Sequence, residues 1–88
     1  MQIRWTQSAS KHGISQGDAL NAIVRHRIHV TPYGASRVEG RQPPDLFIGP
    51  GLDGRLLEVM AEVEQGELQV FHVMYARPKT VEAARRMQ

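Results

Sequence analysis

A few basic side chains stand where a chain of 88 residues could use them chemically. Lys11 and His12 come just ahead of Gly13, Ile14 and Ser15, and the residues after Ser15 read as a helix. The first amides of a helix have no intrahelical acceptor and its dipole is positive there, so a lysine and an imidazole at that point suit an anion. The plainer reading is an exposed loop in which Gly13 turns the chain and Ile14 staples the helix. Arg55 follows Asp53-Gly54, a tight-turn dipeptide. In the run FHVMYARPK, Phe71 to Lys79, an apolar segment gives way at Arg77 and Pro78. An arginine at the end of a rigid strand can offer its planar fork to a phosphate. Arg77 could equally pair with Glu58 or Glu82.

Other candidates carry less. His26 and His29 are three apart, but no third ligand follows in a matching pattern, so no metal site is expected. GPGLDG, Gly49 to Gly54, is glycine-rich yet lacks the lysine and following helix of a phosphate loop, and reads as a turn. Trp5 and Tyr33 read as packing residues.

Composition limits the frame around these residues. A hydrophobic content of 41% supports one small core, hence a single domain over 1–88. There is no cysteine, so there is no disulfide framework and no thiolate zinc site, which fits a reducing compartment. No apolar run has the length of a membrane span or a signal peptide, and a soluble, cytoplasmic protein without membrane contact is expected. Charge is segregated along the chain. Six basic residues face two acidic ones up to Arg41, one faces six from 42 to 67, and four face one in the tail. Nine of the 11 basic residues are arginine, which tilts the expected ligand toward a polyanion or an acidic partner.

The elements that must position these side chains follow from pattern. Ser15 with Asp18 makes a capping box, and Ala19, Leu20, Ile23 and Val24 fall at helical spacing, predicting a helix over about Gln16 to Arg27. Ile28 to Pro44 mixes β-branched residues with proline and glycine and reads as irregular, with a short edge strand or two. Strands are predicted over Asp45 to Gly49, Arg55 to Val63, and Leu68 to Arg77. The sequence Glu64-Gln65-Gly66-Glu67 predicts a two-residue hairpin turn. Pairing Val63 with Leu68 then sets Val59 opposite His72, Leu57 opposite Met74 and Leu56 opposite Tyr75. That register puts His72 on the core face with Leu57, Val59 and Met74, as a satisfied core histidine, unless it slips by one residue. Pro78 cannot continue the ladder, and Thr80 can cap a last helix through Arg86. The expected fold is α+β: a small antiparallel sheet of three to five strands, an N-terminal helical region and a C-terminal helix.

Three segments together, KHGIS, DLFIGPGLDGRLLEVM and HVMYARPKT, resemble the BrnT family of toxins from bacterial toxin–antitoxin pairs. That family's pattern is a Lys-His-Gly-Val/Ile-Ser opening, a central Gly-x-x-x-x-Gly-Arg-x-Leu-x-Val strand, and an Ile-Ile-Ser-Ala-Arg strand end with a threonine shortly after. These fall here on Lys11 to Ser15, Gly49 to Val59, Val73 to Arg77, and Thr80. Tyr75 replaces the usual serine, Pro78 follows the arginine, and Ala83 stands where a glutamate is expected.

The resemblance implies a RelE-like fold and a metal-independent ribonuclease with no cofactor. Such chemistry needs a base for the 2′-hydroxyl, cations for the phosphorane and a proton for the leaving 5′-oxygen. Arg77 and Arg55 are the implied charge stabilisers, and Lys11 or His12 the implied base or acid. Arg41, Tyr75, Lys79, Arg85 and Arg86 would hold the RNA. The implied partners are RNA and a cognate antitoxin of the ribbon-helix-helix type, with operator DNA met only through that antitoxin. The alternative is the same scaffold without turnover, docking a partner protein or nucleic acid through its basic ends.

Overall fold

A computed structural model describes residues 2–33 and 43–88. In chain order the elements are β1 (Gln2–Trp5), a 3-10 turn (Gln7–Ser10), α1 (Gln16–Val24), β2 (Ile28–Val30), β3 (Asp45–Pro50), β4 (Leu56–Glu64), β5 (Glu67–Tyr75) and α2 (Pro78–Arg86). The strands form one sheet in the order β1-β5-β4-β3-β2. This is an α+β architecture, but the sheet is mixed. β1 runs parallel to β5, pairing Gln2 with Glu67 through Trp5 with Val70, while the other neighbours are antiparallel. The expected antiparallel sheet is corrected on that point, and the N-terminal region opens on a strand. Ile3 and Trp5 alternate toward the core there, too short a pattern to read before the partner strand is known.

Local chemistry explains most of the element ends. Ser15 Oγ accepts from the Asp18 amide at 3.1 Å and donates to Asp18 Oδ2 at 2.7 Å, closing the N-terminus of α1. The helix stops at Val24, short of Arg27, because the Arg27 amide donates to Ile48 O in β3 at 2.7 Å and the chain has entered the sheet. In the β4–β5 turn, Gln65 and Gly66 have φ of 51° and 79°, the doubly left-handed geometry of a type I′ hairpin. Between β3 and β4, Gly54 has φ of 88°, and Asp53 Oδ1 accepts from the Arg55 amide at 2.9 Å, as the turn reading of GPGLDG requires. α2 begins with Pro78 in its first turn and Arg77 as N-cap, so the cap is Arg77 and not Thr80, which is buried.

Each face of the sheet carries its own core. On one, Leu57, Val59, Ala61, Leu68, Val70 and Val73 pack under α1 through Ala19, Ala22 and Ile23. On the other, Ile28, Val30, Leu46 and Ile48 meet Ala84 and Val81 of α2. α1 lies close on β3. A Cβ on Gly49 would collide with the Ala22 carbonyl and come within 2.9 Å of His26 Cα, so only glycine fits. Among the described residues no helix is long and apolar enough to cross a membrane.

Candidate active site

The α2 face of β4 carries Glu58 between Leu56 and Met60, and its side chain is fully buried. A carboxylate with no water must find donors or lose its charge. Glu58 finds several. Oε1 accepts from the Arg77 backbone amide at 2.9 Å and from Arg77 Nε at 3.2 Å. Oε2 accepts from Arg77 Nη2 at 2.8 Å and meets His72 Nε2 at 2.8 Å. Thr80, buried in the first turn of α2, also helps to keep this carboxyl low. Burial alone would push this carboxyl upward, but the bonds from His72 and Arg77, together with Thr80, outweigh it and hold it at about 2. Glu58 is therefore an anion at neutral pH and His72 Nε2 donates to it. The neutral imidazole then keeps its lone pair on Nδ1.

His72 reaches Glu58 because of a bulge. From the turn, Val63 pairs with Leu68 and Ala61 with Val70 as the sequence predicts, but the next pair is Met60 with His72, leaving Phe71 as an extra residue. Beyond it Val59 pairs with Val73, Glu58 with Met74 and Leu57 with Tyr75. The pairings expected for His72, Met74 and Tyr75 are corrected by one residue. Val73 takes the core place beside Leu57 and Val59, and His72 moves to the opposite face. The cause lies at the edge of the sheet. β1 ends at Trp5 and the 3-10 turn takes its place, with Ser8 Oγ donating to Phe71 O at 2.8 Å.

The same turn delivers His12, whose ring centre is 5.8 Å from that of His72 in an edge-to-face arrangement. His12 and Lys11 are exposed, and the His72 side chain keeps 21% of its surface. His12, His72, Glu58, Arg77 and Thr80 thus form one continuous cluster. Arg77 is both the N-cap of α2 and the bidentate partner of Glu58, the pairing its sequence position left open. Its side chain remains 40% exposed, and Glu58 engages two of the five guanidinium N–H groups through Nε and Nη2. Glu82 pairs instead with Arg86, at 2.6 Å.

Arg55 is held elsewhere. Its Nε bonds Asp53 Oδ2 at 2.7 Å, its Nη2 donates to Tyr75 OH at 2.7 Å, and its guanidinium lies 4.3 Å over the Tyr75 ring. Tyr75 shares its face with Val73 and Leu57, the α1 side, whereas Glu58 and His72 are on the α2 side. Lys79, Arg85 and Arg86 are exposed on α2. Arg41 lies outside the described residues. Glu58 was legible only as a possible partner of Arg77 and was not a site candidate, nor were His72 and Thr80. The signal for Glu58 was an ionisable residue in LLEVM, where both neighbours on its own face are apolar and a charge needs a partner. Among the described residues no three His, Asp or Glu side chains stand where they could share a metal ion.

Comparison of the chain with protein-family models, with curated proteins and with solved structures gave no match.

Proposed function

We propose that the chain is a metal-independent ribonuclease whose acid–base groups are His12 and His72. The observation that supports this reading is the pair of imidazoles 5.8 Å apart, one of them oriented by a buried carboxylate, with a half-exposed arginine on the same carboxylate. One imidazole takes the 2′-hydroxyl proton, the 2′-oxygen attacks phosphorus, and the other imidazole protonates the departing 5′-oxygen. The products are a 2′,3′-cyclic phosphate and a 5′-hydroxyl. Arg77 faces the phosphorane with the N–H groups that Glu58 does not use. Lys11, beside His12, adds positive charge for the backbone. Arg55 with Tyr75 makes a stacking surface around the strand end, which suits an unpaired base. On this reading, and with the resemblance in sequence, the fold is RelE-like and the chain is a toxin acting in the cytoplasm. Its antitoxin would be a small ribbon-helix-helix protein that binds operator DNA.

The full engagement of Arg77 Nε and Nη2 by Glu58 favours a second reading, in which the cluster only locks α2 to the sheet and the scaffold binds without turnover. Purified protein with single-stranded RNA in chelator separates them. Cleavage leaving cyclic phosphate ends, lost in His12→Ala, supports the ribonuclease. His12 is exposed, so this variant keeps the fold. No cleavage by the unaltered chain, and no growth arrest on its induction, would leave the binding module.

A further inference from the structure

A second histidine cluster lies on the α1 face, away from Glu58. His26 follows α1 by two residues, and its Nδ1 is 2.7 Å from the Ile23 carbonyl. A carbonyl only accepts, so Nδ1 carries the proton and the lone pair of a neutral His26 is on Nε2. His29 sits in β2 opposite Phe47, stacked on that ring at 4.3 Å and 14°. Its Nε2 is 2.9 Å from Asp45 Oδ2, which leaves the lone pair on Nδ1. Each ring thus has one nitrogen held by an oxygen acceptor, the support that metal-ligating imidazoles ordinarily have.

The separation also fits. The two ring centres are 5.4 Å apart at 66°. His26 is 5.6 Å from Phe47 as well, and since Phe47 and His29 are stacked, this near-equal distance places His26 beside the stack and not over either ring face. Zinc–nitrogen bonds of about 2.0–2.1 Å set a metal about 3.2 Å from each ring centre, so two imidazoles on a tetrahedral ion have centres about 5.2 Å apart. We propose that His26 and His29 form a two-imidazole site for a divalent ion of the zinc type, with Asp45 and the Ile23 carbonyl as its outer support. Water or an anion completes the coordination, and both histidines are exposed enough for an ion to reach. The bound ion ties the turn after α1 to the edge strand β2. This inference is independent of the ribonuclease reading, which is tested in chelator.

Zinc chloride titrated into the full chain, followed by imidazole nitrogen chemical shifts and by thermal melting, tests it. The expected result is saturation at one ion, with His26 Nε2 and His29 Nδ1 shifting together and the melting temperature rising. His26→Ala, which leaves the core intact, abolishes both changes. Asp45→Asn weakens binding about 10–100-fold while His26 still responds. Absence of saturable binding overturns the proposal. So does binding that survives His26→Ala and disappears in His12→Ala, which would place the ion on the other imidazole pair.

Discussion

Replacing Glu58 with glutamine keeps the shape of the side chain and removes its charge, which isolates what the buried carboxylate does. In the folded chain its pKa lies at about 2 against an ordinary 4.5, which corresponds to roughly 3 kcal/mol of stability at neutral pH. That agrees with the ~3–5 kcal/mol seen when one partner of a buried pair is removed. Glutamine also turns an amide N–H₂ toward His72 and Arg77, which are themselves donors. Because the folded carboxyl holds its proton less tightly than the unfolded one, the unfolded state takes up more protons as pH falls below 4.5. The contribution is complete above that pH and is lost as pH drops toward about 2. Urea unfolding of both proteins across that range is the assay. The expected gap is roughly 3 kcal/mol at pH 7, closing toward pH 2, because protonation then makes the unaltered side chain neutral too. A gap under about 1 kcal/mol at pH 7 would refute the reasoning, and so would a gap of constant size down to pH 2.

Arg77→Lys keeps the charge and the backbone amide that Glu58 accepts but loses the fork, so stability should fall by about 1–3 kcal/mol, and on the proposed ribonuclease reading RNA cleavage should fall with it; unchanged melting would mean the fork adds nothing to the fold. Leu57→Ala, at a side chain only 1% exposed, should cost about 2–5 kcal/mol in denaturant titration, and a much smaller loss would remove Leu57 from the core. Gly49→Ala should lower stability by about 1–3 kcal/mol or more, since a methyl meets the Ala22 carbonyl and backbone must move; neutral behaviour in melting would contradict the close packing of α1 on β3. Gly66→Ala, at φ of 79°, should cost about 1 kcal/mol by the same measure.

What the sequence determined by itself was local. Ser15 with Asp18, Gln65-Gly66, Asp53-Gly54 and Pro78 mark helix and turn boundaries through capping, left-handed φ and the missing proline donor. These effects act within a few residues and need no distant partner, so α1, the β4–β5 hairpin, the β3–β4 turn and α2 were all readable. The first half of the β5 register was readable for the same reason, because the turn sets it. Tertiary structure decided the rest. β1 finds β5 in parallel only once the intervening chain has crossed the sheet, and no residue near Gln2 encodes that pairing. The bulge at Phe71 arises where β1 stops and Ser8 bonds the Phe71 carbonyl 63 residues away. Since alternate strand residues face opposite ways, that one extra residue turns His72 from the core beside Leu57 to the carboxylate of Glu58. The candidate site follows from it: two histidines, a glutamate, an arginine and a threonine meet because a long-range contact changes the phase of one strand.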